Sequence, residues 1–280
     1  MTSIKDEIIN IVFKEKIVSN ILMKKMLAMH PGKKKEIRLA MTDLFEKGLI
    51  LYTYRHGCSF IEKSFAAPVR ISRHVVVKAP AFFFHPKPTD LVVKMNSGDS
   101  FGSGEHPTTR LAMRGLERVM EGANERGLPP HASMLDIGTG SGILAIAAAG
   151  FGIEKATGID IDPCARFEAK KNVLLNGYEK KIVIDDRAIH DIDDAFFLIA
   201  ANLRLPTIQH YGKMVFRLLN PRGFIVFSGI YDDESDKVKG MCDDAGMRLI
   251  WERSEMGWVG LVFQKRGRKR GRKRGKKNVA

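Results

Sequence analysis

Residues Met134–Ala149 read MLDIGTGSGILAIAAA. Met134 to Ile137 is a short apolar run interrupted by one acid, Asp136, as the end of a buried parallel strand reads. Gly138, Gly140 and Gly142 then form G-x-G-x-G, and an apolar, alanine-rich helix pattern follows at once. A strand, a glycine turn and a helix in this order bring backbone N–H groups and a helix N-terminus close to a ligand, where a side chain would obstruct it. Alone the pattern is weak, because an ordinary tight turn between strand and helix uses the same glycines. Its context is stronger. A second strand, Lys155 to Ile159, ends in Asp160, twenty-two residues after Gly138. An acid at that spacing and strand end is positioned to accept hydrogen bonds from ribose hydroxyls.

Downstream, Ala165 to Leu175 reads as a helix closed by Asn176-Gly177, and Ile182 to Ile184 as a third strand. Phe196 to Ala200 is a fourth strand, followed closely by Asn202. A helix over about 205–219 is expected to stop at Asn220-Pro-Arg-Gly223, before a fifth strand from Phe224 to Phe227. Residues 236–246 read as a helix, and Met247 to Glu252 and Trp258 to Gln264 as a terminal antiparallel hairpin. Strands alternating with helices imply an α/β, Rossmann-like doubly wound sheet of seven strands, with its ligand at the strands' carboxyl ends. Gly138–Gly142, Asp160, Asp185–Asp186 and Asn202 all fall at such ends.

Upstream lies a loop, Ser100-Phe-Gly-Ser-Gly-Glu-His-Pro-Thr-Thr-Arg110, that runs into a helix expected to end near Met120. Pro107 with Thr108 and Thr109 makes a good helix entry. Residues 66–100 form a β-rich connecting segment in which 74–78 and 91–94 are rich in β-branched residues. Residues 1–65 form a unit of their own. Apolar residues at helical spacing mark three helices, the second over Ser19 to Met29 and the third after Pro31-Gly32, and two strand-like runs follow. This order resembles a winged helix-turn-helix. Lys33, Lys34 and Lys35 open the third helix, where they can contact phosphates of RNA or DNA. Winged helices also serve as protein-docking modules, so that partner stays open.

Composition bounds the class. At 280 residues the chain has room for one domain of about 200 residues and a smaller one. Apolar residues make up 44%, and no apolar run suggests a membrane span. The N-terminus lacks the layout of a signal peptide, and three scattered cysteines form neither a disulfide framework nor a metal motif. A cytoplasmic protein without a metal is expected. The net charge of +14 is concentrated: residues 265–277 hold ten Lys or Arg and no acid, leaving 36 basic against 32 acidic residues elsewhere. Such a block cannot bury apolar surface, so 265–280 is expected to be a disordered basic tail that can tether the chain to RNA.

The segments FGSGEHPTTRLAM, LDIGTGSGILAIAA, GIDIDP, AANL, NPRGFIVFSGI and WVGLVF, in this order, resemble the PrmA-type family that methylates ribosomal protein L-eleven. The resemblance covers about 74–264 and does not extend to 1–65. It implies a class I methyltransferase domain over 101–264 and S-adenosyl-L-methionine as cofactor. The expected reaction is methyl transfer to amino groups, lysine or N-terminus, of a ribosomal or ribonucleoprotein-associated protein. Ser103 and Glu105 depart from the family's loop, and Arg204 intrudes after Asn202. Cofactor contacts are expected from Phe101, Gly102, Thr108, Thr109, Asp136, Gly138, Gly140, Gly142, Asp160, Asp186 and Asn202.

Methyl transfer from a sulfonium is an in-line displacement, so alignment carries much of the catalysis. A lysine acceptor must first lose a proton, which costs about 4.6 kcal/mol at pH 7 from a pKa of ~10.4. Glu105 or His106 can take that proton, or instead hold the loop by an ion pair or a hydrogen bond. Asn202 can orient the amine through its amide oxygen, or contact the cofactor. The sequence NLRLP is not the N-P-P-[YF] motif of amino-group nucleic-acid methyltransferases, and no cysteine follows the fourth strand as a cytosine carbon methyltransferase needs. RNA or small-molecule methylation stays open, as does a non-catalytic, cofactor-sensing regulator that binds nucleic acid.

Overall fold

The computed structural model describes residues 3–14, 17–55, 58–64, 68–80, 82, 84–96, 104 and 106–267. Three expected site residues, Phe101, Gly102 and Glu105, lie outside the described residues, as does the basic tail from residue 268. The chain divides into two compact units, residues 1–70 with 76–97, and residues 71–75 with 98–280.

The first unit opens with helix α1 (Ile4–Lys14), strand β1 (Ile17–Val18) and helices α2 (Ser19–Met29) and α3 (Lys34–Glu46). Strands β2 (Ile50–Arg55) and β3 (Cys58–Lys63) follow as a hairpin, and β1 pairs antiparallel with β3, so the sheet order is β1-β3-β2. Ile8 and Val12 of α1, Leu22 and Met26 of α2, and Ile37, Met41 and Leu44 of α3 recur at helical spacing and form one buried core with Ile50 and Ile61. Strands β4 (Val69–Arg70), β5 (Val75–Lys78) and β6 (Leu91–Lys94) make a second three-stranded sheet in that order.

The second unit carries helix α4 (Pro107–Arg126), β7 (Ser133–Ile137), α5 (Ile143–Gly150), β8 (Lys155–Ile159), α6 (Pro163–Leu175), β9 (Ile182–Asp185) and β10 (Phe196–Asn202). Helix α7 (Leu205–Arg217), β11 (Leu219–Tyr231), α8 (Ser235–Asp244), β12 (Met247–Glu255) and β13 (Trp258–Lys265) complete it. The seven strands lie in the order β12-β13-β11-β10-β7-β8-β9. Strands β9, β8, β7, β10 and β11 are parallel, and β13 runs antiparallel to β11 and β12. Residues alternate across the sheet as the two-residue strand period requires. Leu135, Ile137, Ile199, Ala201, Ile225 and Phe227 join Leu205, Ile208 and Val238 of α7 and α8 in one core. On the opposite face α4 lies so close to the strands that a Cβ on its Gly115 would meet Val226 at 2.9 Å.

Two expected boundaries are corrected. Helix α4 does not end near Met120 but runs six residues further, to Arg126. Its buried stripe simply continues through Val119, Met120 and Ala123, and that packing outweighs the cost of Gly122 inside a helix, ~1 kcal/mol. The expected turn at Asn220-Pro-Arg-Gly223 is instead part of β11, which begins at Leu219. Leu219 pairs with Phe196 ahead of a register shift, and Arg222 takes a positive φ of 64°, so the segment is an irregular strand entry.

Candidate active-site cleft

The sheet register brings the sequence-distant site positions into one row. Ala201 of β10 pairs with Ile137 of β7, Ile137 with Ile159 of β8, and Ile159 with Asp185 of β9. The next residues are Asn202, Gly138, Asp160 and Asp186. This row lies at the carboxyl ends of the strands, and between β7 and β10 the strand order reverses, where an open α/β sheet leaves a crevice.

Local chemistry fixes the glycine turn. Gly138, Gly140 and Gly142 all have positive φ, at 68°, 54° and 82°, a region other residues enter only with strain. The N–H groups of Gly138 and Thr139 both donate to the Ile159 carbonyl at 2.9 Å, which ties the turn to the end of β8. Asp160 completes the tie. Its Oδ2 accepts from Gly140 N–H at 2.9 Å and its Oδ1 from Asp162 N–H at 3.0 Å.

Over this row opens a cleft of about 950 Å³, within the range of small-molecule sites. Of the expected residues, His106, Thr108, Gly138, Gly140, Asp160 and Asn202 line it. Thr109, Asp136 and Gly142 do not. Asp136 is buried beneath the turn, where it accepts from the Thr139 hydroxyl at 2.8 Å. Burial pushes its carboxyl up to about 7 against the opposing hydrogen bonds from Thr139 and the Ala145 N–H, with the nearby Asp160 charge adding to the rise. Thr109 is buried in the first turn of α4, and Gly142 caps α5 against Ala169. Asp186 turns outward. Its side chain is 75% exposed and faces Arg166 at 4.0 Å, while the next residues, Arg187, Ala188 and Ile189, line the cleft in its place.

His106 caps α4. Nδ1 of His106 meets the Thr108 hydroxyl at 2.8 Å and the Thr108 N–H at 3.4 Å, which fixes the ring at the helix start. Burial, and then the charge of Arg110, lowers the imidazole's affinity for a second proton. Helix α4 is anchored at both edges of this end. Ser228 donates from Oγ to the Thr108 carbonyl at 2.9 Å, and Arg110 and Arg114 both bind the Glu255 carboxylate.

Across the cleft stand residues to which the sequence reading gave no role, Arg204 among them, noted there only as an intrusion after Asn202. Arg204 donates to the Gly229 carbonyl at 2.8 Å, reaches Glu234 at 3.3 Å and lies over the Tyr231 ring at 4.1 Å. Tyr231 and Trp258 are register partners of β11 and β13, and the Trp258 ring meets His106 edge-on at 5.1 Å. Gly229 has a φ of 82°, and a Cβ there would sit 2.5 Å from the Leu203 carbonyl oxygen, so β11 and the Asn202–Arg204 segment touch only because position 229 is glycine. The resulting wall leaves Oδ1 of Asn202 buried without a hydrogen-bond partner among the described residues. A buried acceptor left open costs roughly 1–3 kcal/mol until a donor reaches it.

Turn, acid and open amide match a nucleoside-bearing ligand beside a hydrogen-bond donor. Residues 61–266 match the family described as ribosomal protein L11 methyltransferase (PrmA). A ribosomal protein L11 methyltransferase of Geobacter metallireducens is 35% identical over 198 residues, 71% of this chain and 62% of that protein. The one from Geotalea daltonii is 34% identical over 200 residues, 70% of this chain and 63% of its own length. The chain thus spans less than two thirds of these relatives. The crystal structure of a ribosomal protein L11 methylase from Lactobacillus delbrueckii subsp. bulgaricus superposes with a TM-score of 0.62 at 27% identity, covering 71% of this chain and 98% of that one. The match begins at Ile61, near the end of the first unit's hairpin, and takes in the whole row of strand ends that builds the cleft. On that evidence the chain belongs to the ribosomal protein L11 methyltransferase (PrmA) family.

Proposed function

We propose that the protein is an S-adenosyl-L-methionine-dependent methyltransferase that methylates amino groups, lysine or N-terminus, of a ribosomal or ribonucleoprotein-associated protein. The observation that carries this reading is the open Asn202 Oδ1 in the same cleft as the glycine turn and Asp160. The site's donors and acceptors fit the cofactor. Each Asp160 oxygen keeps a lone pair for a ribose hydroxyl after accepting its backbone N–H. Positive φ and missing side chains at Gly138 and Gly140 leave room for a ligand's close approach. When bound, S-adenosyl-L-methionine supplies a methyl group on a cationic sulfur, ready for in-line transfer.

The chain's own residues position the acceptor. Asn202 Oδ1 accepts an N–H of the amine and so aims the nitrogen's lone pair away from itself. The amine must arrive neutral. Partial desolvation in the cleft and the fixed Arg204 cation both lower an ammonium pKa. His106, neutral with Nδ1 engaged, is a weak base at most and chiefly holds the start of α4. No helix among the described residues is long and apolar enough to cross a membrane. The test is transfer of labelled methyl from S-adenosyl-L-methionine into purified ribosomes and into cell extract. Label in protein, stable to alkali and recovered as methylated lysine or N-terminal amine, is expected. Label confined to RNA or to small molecules, or cofactor binding with no transfer, would overturn the reading.

A further inference from the structure

The first unit holds a second surface, outside the family match, none of whose residues line the cleft. Helices α2 and α3 are joined by four residues, His30–Lys33, with Gly32 at a φ of 81°. Two helices linked by a short glycine turn and followed by a hairpin have the order of a helix-turn-helix with a wing, in which the second helix of the pair reads nucleic acid. The charge follows the geometry. Residues 19–35 contain five lysines and no acid. Ile37, Ala40, Met41 and Leu44 hold one face of α3 in the core, which leaves Lys34, Lys35, Arg38, Leu39 and Thr42 exposed on the other. Of the acids on and beside α3, Asp43 is matched by Lys5 at 2.8 Å and Lys47 at 2.9 Å, Glu36 by Lys33 at 3.4 Å and Glu7 by His30, and Glu46 stands exposed in the helix's last turn.

We propose that the first unit is a winged helix-turn-helix module that binds duplex DNA, with α3 laid in the major groove. Lys34, Lys35 and Arg38 contact phosphates along the groove's edge. Leu39 and Thr42 face the base edges, where a thymine methyl group offers apolar contact. Duplex RNA is the poorer fit, because its major groove is too deep and narrow for a helix to read. Phosphate contacts dominate this set, so affinity outweighs sequence selectivity and falls steeply with salt.

The basic tail would mask the measurement, so it is removed as a charge and not as a segment. In a full-length parent the eight Lys and Arg of residues 268–277 are replaced by Ser. Anisotropy of a labelled mixed-sequence DNA duplex, and of the RNA duplex of the same sequence, is followed against salt for this parent and for Lys34→Gln/Lys35→Gln/Arg38→Gln built on it. The parent is expected to bind DNA more tightly than RNA. The triple variant should bind DNA ~10-fold or more weakly at 0.1 M salt, with a salt slope shallower by about 2–3, one step of ~0.9 per lost phosphate contact. If the triple variant melts early, Lys24→Gln/Lys25→Gln on α2 replaces it, with a smaller loss expected. No DNA binding by the parent, tighter binding of RNA, or an unchanged slope in the folded variants would each overturn the proposal.

Discussion

Asp160→Asn isolates the ribose contact without emptying the site. In the parent, each carboxylate oxygen accepts one backbone N–H, from Gly140 at 2.9 Å and Asp162 at 3.0 Å. An ionised carboxylate offers about four lone-pair sites, so about two remain for ligand hydroxyls. The amide has one oxygen and one NH₂ group. Whichever way it turns, one backbone donor faces another donor, and one ligand-facing acceptor is gone along with the charge. A hydrogen bond to a charged group contributes about 1.5–3 kcal/mol, so the dissociation constant for S-adenosyl-L-homocysteine should rise ~10- to 150-fold. The lost backbone contact, made to the same charged group, costs a similar ~1.5–3 kcal/mol of stability, a drop of roughly 3–12 °C in Tm for a unit of this size. Calorimetric titration with S-adenosyl-L-homocysteine beside a melting curve separates the two effects. A large fall in Tm with an unchanged dissociation constant would assign Asp160 to the turn alone and refute the ribose contact.

Asn202→Ala removes an acceptor that has no partner among the described residues, so Tm should hold within about 1–2 °C while methyl transfer falls ~100-fold or more; a steady-state assay showing normal turnover sinks its role with the amine. Gly229→Ala forces a Cβ onto the Leu203 backbone at a φ of 82°, and should cost more than about 2 kcal/mol in denaturant unfolding while weakening cofactor binding. Asp136 has a folded pKa raised to about 7, against ~3.9 unfolded, so its contribution to stability is whole below pH ~4 and is lost as pH rises through 7. Asp136→Asn should flatten that dependence and exceed the parent in Tm at pH 8; parallel curves for the two proteins from pH 4 to 8 would contradict it.

The sheet and one side of the cleft were legible because their signals are local. Strands β7 and β10 are buried on both faces and read as apolar runs, β8 ends in the buried Ile159, and the row Asn202–Gly138–Asp160 follows from where those strands stop. Local signals do not tell which way a side chain turns once the strand has ended. Asp185 and Asp186 both stand at the end of β9, yet Asp186 faces solvent and Arg187 faces the cleft. Asp136, two residues before the glycine turn, points under it because alternation along β7 places it on the α5 side, opposite Leu135 and Ile137. The opposite wall was illegible for a different reason. Arg204, Tyr231 and Trp258 are brought together by the antiparallel register of β13 on β11, a pairing that no short stretch of sequence encodes. That wall also accounts for the oddity at Arg204, which the family resemblance marks as an intrusion. Its guanidinium is taken up by the Gly229 carbonyl, the Glu234 carboxylate and the Tyr231 ring, so the charge is fixed at the cleft's edge and Asn202 is left open. A lysine at 204 would keep the charge but could not form the same fork of hydrogen bonds while stacked on the ring, and the two roles would come apart.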